Sequence, residues 1–244
     1  MSSDVASAFS DMGLGMTSSN VENEAEVFKS PNVILEVVKR LNIDVNYTTD
    51  GRFHRTTLYG KTNPVLVTFK DANEDTGCSF TLDLGKNGEV AISDFVMGDE
   101  EQPDVIKGKI NQPIKTIAGV VVISPNPAYV APEKPATRIY VTRSSDYSAV
   151  SSVSGKLSVW LNSKNNTIID IAYSDVSVDR AKDIINTLIE VYNIHWVEDK
   201  NQIASSTSAF INDRLAVIEN ELGNVDSDIS TYKSANMVPD VHVA

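Results

Sequence analysis

Ile211-Asn-Asp-Arg-Leu-Ala-Val-Ile-Glu-Asn-Glu-Leu-Gly-Asn-Val-Asp-Ser-Asp-Ile-Ser-Thr-Tyr232 is the stretch that decides how the chain is read. Its apolar residues Ile211, Leu215, Ile218, Leu222, Val225, Ile229 and Tyr232 are spaced 4-3-4-3-4-3. That 3.5-residue period, held through three heptads, is the pattern of an a/d coiled-coil seam. The stripe of an ordinary surface helix packed on its own domain drifts towards a 3.6-residue period. Asp213, Arg214, Glu219, Asn220, Glu221, Asp226 and Asp228 fill the outer positions. A seam needs a facing helix, and no other segment carries matching heptads. The expected partner is therefore another subunit or a further segment of a longer protein.

Working outward, no proline occurs from Val178 to Val238 and Gly223 is the only glycine there. As one helix, Val178–Ser234 would be about 85 Å long at 1.5 Å per residue. A compact domain of this size cannot hide such a rod, so protrusion is expected, with Ala204–Ser208 as the place for a break or bend. Ser177 is expected to cap this helix, with Asp179 and Asp183 early where the helix dipole favours acids. Ala181, Ile184, Ile185, Leu188, Tyr192 and Trp196 share one apolar face.

The opening of the chain is also helical. Residues 1–18, rich in Ser and Gly, read as a flexible lead-in. Ser19 and Glu22 have the spacing of a capping box before a short helix over Asn20–Lys29. Ser30-Pro31 restarts the chain as N-cap and first helical residue. Val33, Ile34, Val37, Val38 and Leu41 give Pro31–Leu41 a buried stripe.

From Ile43 the period changes to two. Val45–Tyr47, Phe53–Leu58, Val65–Phe69, Phe80–Leu84, Glu89–Ile92, Val105–Lys109, Ile114–Lys115 and Gly119–Ile123 read as strands, with a hairpin turn at Gly85-Lys-Asn-Gly88. Closely spaced strands of this kind fit a sandwich or jelly-roll-like unit. Ser124–Pro135 holds four of the nine prolines and reads as a loop or extended connector. Beyond it come a strand over Arg138–Thr142, a short helix over Asp146–Ser152, and a second hairpin, Leu157–Leu161 and Ile169–Tyr173 around a turn at Asn162–Asn166.

These segments give an α+β chain. Its expected parts are the lead-in, an α+β domain in two pieces (19–50 and 137–205), a β-rich unit inserted at 51–136, and the start of a coiled-coil arm at 206–244. Pro31–Leu41, Arg138–Thr142, the second hairpin and the helix from Val178 are expected to form one layer. The strands of 51–123 are expected to pack separately.

Composition narrows the functional classes. The 244 residues are 41% hydrophobic and 22% charged, and 33 acids against 21 Lys and Arg give a net charge of −12. That surplus disfavours capture of nucleic acid or anionic lipid, since both need a positive face. The longest apolar run, Ile117–Ile123, is too short to span a bilayer, and no export signal opens the chain. The lone Cys78 excludes a disulfide framework and a Cys-rich zinc site.

No catalytic constellation stands out, and no cofactor or metal is expected. Gly60-Lys61-Thr62 has the tail of a P-loop, but Arg55 stands where its first glycine belongs. Asp71, Asn73 and Asp75 mimic the start of a calcium loop, yet Thr76 replaces the turn glycine and Leu82 the bidentate acid. His54, His195 and His242 are scattered. Nothing singles out a glycosidase-like pair among the many carboxylates.

Four stretches carry a resemblance. They are Ser19-Asn-Val-Glu-Asn-Glu-Ala-Glu-Val-Phe-Lys-Ser30 with Val33–Leu41, the helix Val178–Tyr192, Phe210–Leu222, and Asp228–Asn236. In this order they resemble the Wzz-type chain-length determinant domain over about residues 19–240. The β-rich insert is most similar to the larger members, in which the domain belongs to a capsule or exopolysaccharide tyrosine autokinase. The resemblance implies a Wzz-like α/β base and a non-catalytic periplasmic domain of a bacterial inner-membrane polysaccharide co-polymerase. Its homo-oligomers would control polymer length and export with the polymerase machinery. Flanking membrane helices, the returning half of the arm and any cytoplasmic kinase domain would lie outside this sequence. Two other classes stay open. One is a secreted carbohydrate-binding β-module with a helical stalk, using Tyr47, Tyr129, Tyr140 and Trp160 as sugar platforms. The other is a hydrolase with unassigned carboxylates.

Overall fold

In the computed structural model, residues 18–70, 73–161 and 168–235 are described, for residues 18–20 as backbone only. The protein is α+β, with antiparallel sheets and a long C-terminal helix. Two compact units are distinguished, one ending at Asn193 and the other beginning at Ile194.

The first unit opens with α1 (Ser18–Val27) and α2 (Pro31–Leu41). Helix α1 starts and stops two residues earlier than its sequence pattern predicts. Its end tightens because Lys29 and Ser30 donate backbone hydrogen bonds three residues back, to Glu26 and Val27. The capping-box reading of Ser19, and residues 1–17 of the lead-in, lie outside what is described. Helix α2 matches its pattern. Ser30 is the N-cap, Pro31 opens the helix where a missing N–H costs nothing, and Asn42 closes it in the left-handed region at φ 50°.

Ten strands follow: β1 (Val45–Asp50), β2 (Arg55–Leu58), β3 (Val65–Lys70), β4 (Cys78–Leu84), β5 (Glu89–Met97), β6 (Glu100–Gln102), β7 (Ile106–Lys109), β8 (Pro113–Thr116), β9 (Gly119–Pro125) and β10 (Arg138–Arg143). One sheet runs β2-β1-β10-β4-β5-β6, with β7 also on β5, and a second runs β3-β9-β8. Side chains of both sheets share one hydrophobic cluster that includes Leu82, Ile92, Phe95, Val121, Ile123 and Ile139. Phe80 and Phe95 stack in it at 5.0 Å. The β4–β5 hairpin turns as expected, with Asn87 and Gly88 both at positive φ (57° and 74°).

Strand β10 corrects the expected layering. It lies inside the larger sheet, pairing Val45–Thr48 on one side and Cys78–Asp83 on the other. Ile139 and Val141 point into the β cluster, so their burial takes β10 away from the helices. Strand β9 also extends to Pro125, which pairs with Val65 at the sheet's end, where a missing donor is tolerated.

A second cluster gathers α1, α2, α3 (Asp146–Ser154), the hairpin β11 (Leu157–Leu161) with β12 (Ile169–Tyr173), and the start of α4 (Val178–Ala235). Ser145 caps α3 by accepting a hydrogen bond from the Ser148 N–H at 3.3 Å, and the helix runs two residues beyond the pattern. The turn expected at Asn162–Asn166 lies outside the described residues. The two hairpins, Phe80–Ile92 and Leu157–Tyr173, belong to different sheets.

Helix α4 has 58 residues, about 87 Å at 1.5 Å per residue. It is helical throughout Ala204–Ser208, the place the sequence offered for a break. Neither proline nor a run of glycines interrupts its backbone ladder.

Candidate functional site

The start of α4 is locked in place. The Ser177 hydroxyl accepts from the Arg180 N–H at 3.3 Å, making it the predicted cap. The Asp175 carboxylate, almost fully buried, accepts from the Ser177 N–H at 2.8 Å and from the Arg180 guanidinium at 2.8–3.1 Å. Arg180 also donates to Asn46 Oδ1 at 3.0 Å, tying the helix to β1. The Tyr59 hydroxyl donates to Asp183 at 2.9 Å, and burial raises its pKa. Further along, the Tyr192 ring stacks on Phe28 at 4.2 Å and its hydroxyl donates to Glu24. The sequence did not flag the Asp175–Arg180–Asn46 lock. An acid before the cap and an arginine in the first turn were visible, but Asn46 comes from a distant strand.

In this first part, α4 buries Ile184, Leu188 and Val191, each at most 2% exposed. From Ile194 onward no described residue is buried. All seven predicted seam residues lie there on one continuous helix. Their exposure runs from 43% at Ile218 to 67% at Tyr232. Phe210 and Val217, a heptad apart, add exposed apolar area off the seam. On the outer side, Asn220, Thr231 and Ser234 donate to the carbonyls of Ala216, Ser227 and Ser230 at 2.8–2.9 Å. These polar groups are therefore satisfied by their own helix.

The other sequence candidates resolve into structural roles. Gly60–Thr62 forms a 3-10 turn rather than a phosphate cradle. The Thr62 hydroxyl accepts from the Tyr59 N–H and donates to the Tyr59 carbonyl, while the Asn126 amide bonds the Gly60 and Asn63 carbonyls. In the calcium-loop mimic, Asp71 lies outside the described residues. Asn73 Oδ1 accepts from the Asp75 N–H, and the Asn73 carbonyl accepts from buried Arg143 at 2.9 Å. Among the described residues, no cluster of His, Cys, Asp and Glu is arranged to hold a metal ion. His54 is exposed, His195 half-buried on α4, and His242 outside the described residues. Burial raises the Cys78 thiol to about 11, so it is no nucleophile at neutral pH.

Two cavities have mixed polar and apolar linings. One of about 620 Å³ runs along β4, β5 and β7, with Asp83, Glu89, Lys107, Lys109 and Gln112 around Val90. Arg138 already binds Asp83 there, at 2.7 and 3.0 Å. Another of about 270 Å³ is lined by Leu58, Tyr59, Asn63, Asn126 and Arg180, among others. Of the four candidate sugar platforms, Tyr47 is buried, its hydroxyl accepting from the Val67 N–H at 2.8 Å. The Tyr140 ring is covered by Arg55 at 3.6 Å, Tyr129 is half-buried, and Trp160 is exposed on the hairpin.

No protein-family model matches the chain, and no curated protein matches it. No helix of the described residues is long and apolar enough to cross a membrane.

Proposed function

We propose that this chain is a non-catalytic assembly domain of a polysaccharide co-polymerase, with the seam on α4 as its working surface. In this reading the Wzz-like base is the helical layer, the jelly-roll-like insert is the two-sheet unit, and α4 is the arm. The domain sits in the periplasm of a bacterial inner-membrane protein, and membrane helices flank it in the parent chain. Copies associate, and together with the polymerase and export machinery they set the length of a capsular or exopolysaccharide chain. The β-rich insert is the feature the chain shares with the larger members of the family, some of whose parents carry a cytoplasmic tyrosine kinase domain.

The observation that carries this reading is the exposure of Ile211, Leu215, Ile218, Leu222, Val225 and Ile229 along one face of an unbroken helix. Apolar residues at a strict heptad spacing need a covering helix to leave water. The secreted carbohydrate-binding alternative retains Trp160 as its exposed platform, since Tyr47 and Tyr140 are occupied within the fold.

The test compares Leu215→Asn with Glu219→Gln in the full-length protein, with the polysaccharide sized on a gel. Asparagine in a covered seam leaves an unsatisfied polar group, costing about 1–3 kcal/mol. The expected outcome is altered polymer length or lost export at normal protein level for Leu215→Asn, and little change for the outer-face Glu219→Gln. If both leave the length distribution untouched while the protein is expressed, the assembly reading fails.

A further inference from the structure

We infer that the tip of the β1–β2 hairpin, Gly51-Arg-Phe-His-Arg55, docks on the surface of an anionic lipid bilayer, with Phe53 entering the headgroup layer and Arg52 and Arg55 binding lipid phosphates. This docking uses no part of the α4 seam and goes beyond the assembly proposed above.

The hairpin is anchored at one end and open at the other. Tyr47 and Leu58, paired at its root, are buried in the β cluster. Every residue from Asp50 to Thr56 is exposed. The turn is tight: the Gly51 N–H donates to the His54 carbonyl at 3.1 Å, and a Cβ on Gly51 would run into that carbonyl oxygen and Thr56 Oγ1. At the tip Phe53 is 86% exposed, more than any other large apolar side chain described. A phenyl ring held in water at a fixed turn has no share in the core and marks a surface made for contact.

The charges around it have the wrong sign for the rest of the protein. A net charge of −12 keeps the chain as a whole off anionic surfaces, so any positive site must be local. In the residues before the arm, Arg40, Arg138, Arg143 and Arg180 each pair with a carboxylate, at 2.6, 2.7, 3.5 and 2.8 Å. The two remaining arginines, Arg52 and Arg55, lie together in the tip. Among the described residues no acid pairs with either of them. They rest on rings instead, Arg52 at 5.2 Å from the centre of Phe53 and Arg55 at 3.6 Å from that of Tyr140. The acids closest by are already engaged: Asp50 accepts from the Tyr140 hydroxyl at 3.2 Å, and Asp83 holds Arg138. The tip therefore offers two guanidinium groups that lack counter-ions, beside an apolar ring that lacks cover.

That pairing selects the partner. Guanidinium groups bind phosphate oxygens well, and an aromatic ring next to basic side chains is the combination that settles at the boundary of headgroups and acyl chains. A saccharide is a poorer match. It needs a concave site with several converging polar groups, whereas the tip projects and neither cavity described above includes any of its residues. Phe53 also has no hydroxyl or N–H to offer a sugar, and Arg52 already lies over its ring.

The test sediments the full chain with sucrose-loaded vesicles. We expect it to pellet with vesicles of phosphatidylglycerol and phosphatidylethanolamine, not with phosphatidylcholine vesicles, and to be released as salt screens the surface. Phe53→Ser should weaken binding about tenfold through the lost burial of the ring. Arg52→Gln and Arg55→Gln should weaken it about fivefold each, the usual effect of one basic residue at an anionic surface. The double substitution Lys107→Gln, Lys109→Gln removes two exposed charges from β7 and should leave binding unchanged, which separates the tip from general charge. Denaturation midpoints of all variants check the fold. If Arg55→Gln disturbs the stack on Tyr140, Arg52→Gln and Phe53→Ser, at fully exposed positions, carry the comparison. No excess pelleting of the native chain on the anionic vesicles overturns the inference, as do tip variants that bind like the native chain or a β7 variant that loses as much as they do. Retention on polygalacturonate that the tip variants lose, without vesicle binding, also overturns it and gives the tip to an acidic glycan. The polymer-length result for Leu215→Asn has no bearing on the tip, so either proposal can fail alone.

Discussion

Helix α4 presents the same 4-3 spacing twice, in two environments. Ile184, Leu188 and Val191 repeat at that spacing and are covered by α1, α2 and the second hairpin. Ile211, Leu215 and Ile218 repeat at the same spacing and are each more than 40% exposed. The difference lies in what stands opposite. A stripe in the sequence reports that a face is apolar, and its period reports the geometry of a partner. Neither reports whether that partner is in the same chain. In the first stretch the ends are also pinned by polar groups, through Arg180 to Asn46 and Tyr192 to Glu24. In the second, Asn220, Thr231 and Ser234 bond carbonyls of their own helix.

The comparison breaks most visibly under truncation of side chains. Leu82, fully buried among the strands, should cost about 2–5 kcal/mol on substitution by alanine, through lost transfer energy and a residual cavity. Leu215→Ala at concentrations too low for association should cost less than about 0.5 kcal/mol, because no covering atoms are lost. Chemical denaturation of the two variants measures both, and equal costs would erase the distinction between the regions.

A smaller effect is expected from alkaline titration. Burial raises Cys78 to about 11 and Tyr47 to about 12, both inside the β cluster. Free thiols and phenols ionise near pH 8.5 and 10. As pH rises past those values the unfolded chain releases protons that the folded chain still holds. Stability is therefore undiminished by these two groups at neutral pH and falls with rising pH up to the folded values. Denaturation midpoints at several alkaline pH values should fall for the body, while the helicity of the arm, which contains neither Cys78 nor Tyr47, should hold. A flat profile would contradict the burial of both groups.

The smallest change sharpens the arm alone. Gly223 lies in the middle of α4, with no atom within 4 Å of where a Cβ would stand. Gly223→Ala should stabilise the local helix by about 0.5–1 kcal/mol by removing backbone freedom from the unfolded chain. Slower proteolysis within residues 211–232 is the expected readout, with the body's denaturation midpoint unchanged.

Much of this fold was legible because the signals are local. Ser30-Pro31 announces α2, Asn87-Gly88 announces the β4–β5 turn, Ser177 announces α4, and the heptads announce the seam. Strand β6 was missed because Glu100–Gln102 is three polar residues with no alternation to read. The placement of β10 was misread for a different cause. Its alternation shows that one face is buried, but the choice between two clusters depends on pairing with β1 and β4, far away in sequence. The lock on α4 was hidden for the same reason, since Asp175 and Arg180 are neighbours but Asn46 is not. No described residue buries the seam, and a heptad stripe does not say what would cover it.

The slot that β10 fills has a consequence for synthesis. Strands β1 and β4 are made early, yet they do not touch along their length, because β10 pairs with both. Until the ribosome has released Arg143, β1 and β4 each expose an open edge. The β4–β5 hairpin can close on its own, since its partners are adjacent. So can the β1–β2, β5–β6 and β5–β7 pairs, and what waits for the strand from beyond the proline-rich loop is the joining of the β1–β2 pair to the β4–β5 side. Open edges held during that interval are the places where nascent chains pair wrongly. Loops and turns therefore shape the first half of this domain as it emerges, and its completion is a single late event.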